Sequence, residues 1–281
     1  MTLRSLIMRR TVNLSATLLM GLATLMVLLP LGLIFYHIVK MGFSSINPSF
    51  FTSIPQPPGE AGGGMANGMA GSAIMVGMAS LVGVPVGIFG AIYLTEYGGG
   101  RLATAIRFSA DVLSGIPSII TGMVAYTLLV VPMKGFSALA GSFALALIMI
   151  PIVLRTTEEQ LKMVPSSLRE ASLALGVPLW RTTLKVTLRS ALTGVITGIL
   201  LATARVAGET APLLFTALGN QFWSNKLTEP MAALPLQIFN FAIAPYEDWH
   251  RLAWGGALVL VVLMFTLSLA ARWLGRSRHS G

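Results

Sequence analysis

The residues best placed to do chemistry are Arg205 and Glu209, in the stretch ARVAGETAP at 204–212. They stand four residues apart inside an apolar run that reads as helix, and at that spacing two side chains can meet. Two uses fit these residue types. A planar guanidinium presents a fork of donors matched to an oxyanion, so Arg205 would line a path for an anion, with Thr210 offering a hydroxyl beside it. In the other account the two charges form a buried pair that fixes packing and meets no substrate. An Arg–Glu pair is locally neutral and attracts an anion weakly. The path account therefore needs Glu209 protonated or turned away, or a second cation from a partner. Ser114 and Ser118 are further path candidates. They flank Gly-Ile-Pro at 115–117, and a proline inside a membrane helix frees carbonyls that a wet cavity can satisfy.

Other chemistries are missing from the chain. It has no cysteine, which excludes disulfides and thiolate metal sites. His37, His250 and His279 share no metal-ligand spacing, and no Ser/His/Asp set is evident. No G-x-x-x-x-G-K-[ST] phosphate cradle occurs, and no lysine even follows a glycine. The glycine runs at 62–64 and 98–100 read as a flexible loop and a helix-end turn. The chain is expected to be neither an enzyme nor its own nucleotide-driven motor, and to need no cofactor.

The elements that hold these residues follow from composition. Of 281 residues 54% are hydrophobic and 10% charged, with a mean hydropathy of +0.78, against roughly 25% charge in ordinary soluble domains. Such a chain predicts an all-α, multi-pass membrane protein. Spanning needs about 20 apolar residues, and windows of that length run over 12–39, 68–95, 106–131, 139–157, 190–217 and 251–274. The organisation expected is a terminal segment 1–11, a first helix 12–39, a loop 40–67, a transmembrane domain 68–275 and a tail 276–281. The first apolar run is too long for a cleaved signal and lacks an A-x-A site. Arg205 falls near the middle of the fifth window, where an arginine costs about 2.5–3.5 kcal/mol and must face protein or water. Asp111 stands four residues after Arg107, a spacing that predicts an ion pair near the end of the third span. Gly83 with Gly87, and Gly194 with Gly198, predict close helix approach.

Charge placement orients the spans. Of 19 Lys and Arg, only Lys40, Lys134, Lys226 and Arg251 fall on the side opposite the N-terminus, Arg205 stays within a span, and the other fourteen share the N-terminal side. The positive-inside rule then makes both termini cytoplasmic.

The most charged inside loop, 156–190, contains VPSSLREASLALGVPLWRTT. Ser167 and Glu170 have capping-box spacing, Leu168, Ala171, Ala174 and Leu175 share one helical face, and Gly176 followed by Pro178 is a stop. About two turns of helix are marginal alone. The apolar face is expected either to dock in a partner's groove or to rest on the membrane surface.

EASLALG, nine residues, then VTL resembles the EAA loop of ABC-importer permeases. Glu170, Ala171 and Gly176 match that pattern, Ser172 replaces its second alanine, Val186 and Leu188 fit its apolar end, and Arg189 stands where proline is usual. The resemblance implies a type I permease fold in which Glu170, Ala171, Ser172 and Gly176 belong to a coupling helix docked on a separate ATPase. LSGIPSIITG at 113–122, ARVAGETAPLLFTALG at 204–219 and PMAALPLQIFNFA at 230–242 together resemble the A-type permeases of the phosphate-specific transport system. That likeness implies an inner-membrane heterodimer with a PstC permease, two PstB ATPases that alone use ATP and Mg, and a periplasmic PstS phosphate-binding protein. A permease for another oxyanion or small solute is the nearer alternative. A stand-alone channel or secondary transporter is the further one, and the inverted repeat it calls for is not evident in the chain.

Overall fold

The computed structural model describes residues 3–60 and 62–276, with the side chains of 3–8 and 276 left aside. Arg278, His279 and the rest of the expected tail beyond residue 276 lie outside the described residues, as do Met1, Thr2 and Ala61. Helix dominates: α1 Leu3–Phe43, α2 Pro48–Thr52, α3 Ala66–Ile92 and a π turn Tyr93–Tyr97 open the chain. Then come α4 Gly100–Gly115, α5 Ser118–Ala125, a second π turn Tyr126–Val130, α6 Val131–Met133 and α7 Ala138–Lys162. The remainder is α8 Ser166–Ala174, α9 Leu179–Thr182, a third π turn Thr183–Thr187, α10 Leu188–Ala207, α11 Ala211–Leu214, α12 Leu234–Ala242 and α13 Glu247–Arg276. Among the described residues no β-strand forms, only an isolated bridge between Leu218 and Met231. Five helical stretches are long and apolar enough to cross a membrane, or six with the bent α4/α5 pair counted as one.

The centre of the molecule is the pairing of α3 with α7, and glycines set its closeness. A Cβ on Gly87 would lie 2.8 Å from Val153 Cβ, and one on Gly83 would lie 3.2 Å from Met149 Cβ, so only glycine lets these helices approach as they do. Gly198 repeats the device on the other flank of α7, where a Cβ would stand 2.7 Å from Thr156 Oγ1. Gly194 lies against Gln160. The glycine spacings read from the sequence thus mark the two central interfaces. Met75, Leu145, Met149, Val153, Ala202, Val206, Leu213 and Leu236 fill the core between α3, α7, α10, α11 and α12.

α1 lies almost wholly exposed and packs on α13, where His37 meets the Trp254 ring edge-on at 4.9 Å. At the same end of the bundle Asn47 caps α2 by accepting from Phe50 N at 2.8 Å. The apolar piece of the 218–250 loop becomes α12, buried against α13 and α3. An amide network ties it down: Gln237 Nε2 donates to Asn67 Oδ1, and Asn67 Nδ2 donates to the carbonyls of Asn220 and Gln221.

Four local expectations are corrected. The third window is not one helix: α4 and α5 meet at 107° across Ile116 and Pro117. Ile116 is extended (φ −72°, ψ 130°), the conformation that a following proline imposes. The fifth window straddles a break, because helix ends at Ala207 and Gly208 closes it by donating to the Arg205 and Val206 carbonyls. Helix runs unbroken from Leu179 to Ala207, so Arg205 stands in its last turn and not at its middle. The capping box does not form either. Pro165 is the N-cap of α8, so the helix starts two residues early and Ser167 is already inside it. Finally, Asp111 pairs with Arg155 of α7, while Arg107 reaches Glu158 Oε1 at 2.9 Å. Packing α4 across α7 offers both charges partners that satisfy them better than each other.

Candidate functional site

Arg205 is presented by the last turn of α10, where a cation also complements the negative end of the helix dipole. Its side chain is 65% exposed, and that of Glu209 is 18% exposed. Their closest approach, Nε to Oε1, is 4.0 Å, an ion pair but too long for a hydrogen bond. Glu209 therefore does not occupy the guanidinium's donors. The exposed large apolar residues of α10 are Leu192, Ile196 and Leu201; Leu201, one turn before Arg205, shares its side of the helix, while Leu192 and Ile196 fall on the opposite side. Arg205 thus stands uncovered beside Leu201 at the end of α10, where a charge against lipid chains would be costly.

Thr210 follows at the N-cap of α11, half-buried, and its side chain does not cap that turn. The broken third span comes next to it. A Cβ on Gly122 of α5 would lie 2.6 Å from Pro212 Cα, so α5 and α11 touch backbone to backbone. The two interruptions, Gly-Ile-Pro at 115–117 and Gly208–Thr210, therefore flank one packed contact. Ser118 sits at the start of α5, half-buried, and Ser114 is exposed on the last turn of α4. The geometry brings α5 to the turn after Thr210. It records no bond between either serine and Arg205.

The coupling candidates lie in α8 and its closing turn, just before the far end of that long helical stretch, which begins at Leu179. α8 ends in a two-bond motif: Val177 N donates to Ser172 O at 3.2 Å and Gly176 N to Leu173 O at 2.9 Å, with Gly176 at φ +77°. Ala171, Leu173 and Gly176 are exposed, as is Glu170, and Leu175 is 84% exposed. Leu168, Ala171, Ala174 and Leu175 form an apolar face that is left exposed among the described residues. Ser172 points the other way. It is buried, with Oγ 2.9 Å from Thr182 Oγ1, and so ties α8 to α9.

Between these two regions lies a charged cluster that the sequence reading did not assemble. Glu158 is 1% exposed and meets Arg107 at 2.9 Å, Lys162 at 2.7 Å and Arg155 at 3.4 Å. Arg169 of α8 places Nε 3.0 Å from Glu96 Oε1 and donates from Nη2 to Leu161 O at 2.7 Å. The available signal was an acid in each partner segment, Glu96 in YLTEYGGG and Glu158 in RTTEEQ, at the ends of apolar runs.

Residues 83–279 match the family described as binding-protein-dependent transport system inner membrane component. The chain is 48% identical over 258 residues to the phosphate transport system permease protein PstA of Yersinia pestis, covering 92% of this chain and 85% of that one. It is 47% identical over 268 residues to the protein of the same name from Xylella fastidiosa strain Temecula1, covering 95% and 93%. In fold it is similar to a chain of a bacterial alginate ABC transporter, crystallised with a periplasmic protein bound to alginate pentasaccharide. The TM-score is 0.65 at 13% identity, with 95% of each chain covered.

Proposed function

Since the chain belongs to the PstA family of phosphate transport system permeases, within the binding-protein-dependent inner membrane components, we propose that it carries inorganic phosphate inward as one half of a two-permease path. In this reading a periplasmic PstS protein delivers the anion, a PstC permease completes the path, and two PstB ATPases drive it. Both termini lie in the cytoplasm, with α8 on the ATPase side.

The observation that carries the reading is the placement of Arg205. A guanidinium 65% exposed, held loosely by Glu209, stands uncovered beside the exposed Leu201 at the end of α10. That arrangement makes sense against a second subunit and a wet path, where the free donors meet phosphate oxygens. The looseness of the pair also answers the neutrality problem, because Glu209 leaves the donors unclaimed, and a cation from the second permease would add to the attraction. Thr210 supplies a hydroxyl beside it, and the break at Ser114–Ser118 supplies polar groups nearby. Weak contacts of this kind suit passage, since affinity belongs to the binding protein. At the other end, the exposed face of Leu168, Ala171, Ala174 and Leu175 supports docking of α8 in a groove of the ATPase, with Glu170 exposed on the same helix and Gly176 closing it. Ser172 serves that docking indirectly, by holding α8 to α9.

The test is uptake of radiolabelled phosphate, with sulfate as control, in cells lacking this permease and complemented with the wild-type chain or Arg205→Ala. Assembly is followed by co-purification of the ATPase. Wild type should restore phosphate but not sulfate uptake, and the variant should assemble without transporting. Sulfate uptake restored in place of phosphate would overturn the substrate; normal transport by Arg205→Ala would remove that residue from the path.

A further inference from the structure

Arg169 binds α8 to helices that α8 otherwise barely touches. Within the loop, α8 packs on α9 and on the π turn Thr183–Thr187. Its polar link to the ends of α3 and α7 is one side chain. Arg169 donates from Nη2 to Leu161 O at 2.7 Å and from Nη1 to Val164 O at 3.4 Å, at the end of α7. Its Nε lies 3.0 Å from Glu96 Oε1, in the π turn that ends α3. The Nε and Oε1 atoms are buried, and their contact is a charge pair without hydrogen-bond alignment. The Glu96 side chain is 3% exposed, so pulling the arginine away would strand a charge out of water, and the two segments should move as one.

The same π turn continues the connection. Leu94 O accepts from Arg107 Nη2 at 3.0 Å, and Arg107 Nε donates to Glu158 Oε1 at 2.9 Å. Glu158 also holds Arg155, which pairs with Asp111 one turn before Gly115. Ion pairs and hydrogen bonds, joined through the main chain of the π turn between Leu94 and Glu96, therefore run from α8 past the end of α3, into α4 and to the edge of the Gly-Ile-Pro break. Beyond that break, α5 presses on α11 beside Thr210.

We propose that Arg169, acting through Glu96, is the positioning residue that passes displacement of α8 into α3, α7 and the broken third span. It touches neither anion nor nucleotide. The inference rests on the permease reading above, and adds to it the place where the loop is mechanically fastened.

The experiment reconstitutes the full complex, with its second permease, ATPase and binding protein, in liposomes and measures phosphate taken up per ATP hydrolysed. Two variants are compared with wild type: Glu96→Gln, which keeps size and removes charge, and Arg169→Lys, which keeps charge and removes the fork. Both should co-purify with the ATPase and hydrolyse ATP, with the ratio lowered at least about fivefold, the lower end of ordinary coupling between sites. An unchanged ratio in the assembled variants would overturn the proposal. So would failure of both to assemble, since the pair would then be holding the fold and not transmitting motion. A wild-type complex that hydrolyses ATP without moving phosphate would instead sink the permease reading, which keeps the two failures distinct.

Discussion

Replacing Gly122 by alanine tests the contact between the two helix breaks. The added Cβ would lie 2.6 Å from Pro212 Cα and 3.0 Å from Pro212 O. Carbon atoms rest about 3.5–4.0 Å apart, so α5 and α11 must separate by roughly 1 Å. Both clashing atoms are main chain, so no side chain can swing clear. Overpacking of this kind costs about 1–3 kcal/mol. At about 2–4 °C per kcal/mol for chains of some 150–250 residues, the unfolding midpoint should fall by roughly 2–12 °C. Intrinsic tryptophan fluorescence during heating in detergent reads that midpoint. Gly115→Ala is the matched control, since no atom lies within 4 Å of its would-be Cβ, and it should stay within about 0.5 kcal/mol of wild type. Phosphate uptake should fall in Gly122→Ala and persist in Gly115→Ala. A Gly122→Ala protein that melts with wild type, or a Gly115→Ala protein that falls as far, would refute the reasoning.

Three other outcomes are expected. Arg205→Lys keeps the charge but loses the fork; at about 1.5–3 kcal/mol for hydrogen bonds to a charged group, uptake at low phosphate should drop about 10- to 150-fold, as initial-rate measurements would register. Leu175→Glu should leave the melting temperature unchanged, because the side chain is 84% exposed, while ATPase binding by titration weakens by about tenfold or more, the value of burying one leucine. Ser172→Ala leaves Thr182 Oγ1 without its partner at 2.9 Å. That should cost about 1–3 kcal/mol, the penalty of a buried hydroxyl left unsatisfied, seen as faster hydrogen exchange over 166–187, and the double variant with Thr182→Val should regain most of it.

What the sequence made legible was whatever depended on short spacing. Gly83 with Gly87 and Gly194 with Gly198 announced the α3–α7 and α7–α10 contacts, because small residues one turn apart flatten one face of a helix. Gly176 announced the end of α8, since only a residue tolerant of φ +77° closes that turn cheaply. The helix breaks were half legible. Gly-Ile-Pro was visible, but hydropathy windows read through it and through Gly208, since neither interrupts the apolar composition. The charged cluster was illegible for a different reason. Arg107 finds Glu158 across 51 positions, and no local rule ranks that partner above Asp111, four residues away. The start of α8 went wrong because two signals competed, and Pro165, already held at φ −55°, opened the helix before Ser167 could cap it.

The lone position of α1 bears on how the protein is made. Within the chain it leans on α13, its His37 against Trp254, and that partner leaves the ribosome more than two hundred residues later. At about 5–20 residues per second, α1 waits roughly 10–40 s in the bilayer as a solitary helix. The apolar run between its charged ends, which carries no polar stripe, suits that interval, because a helix with such a stripe would seek a neighbour too soon. α1 is thus among the last of these helices to find its neighbour, and α13 joins two segments that lie far apart in the chain.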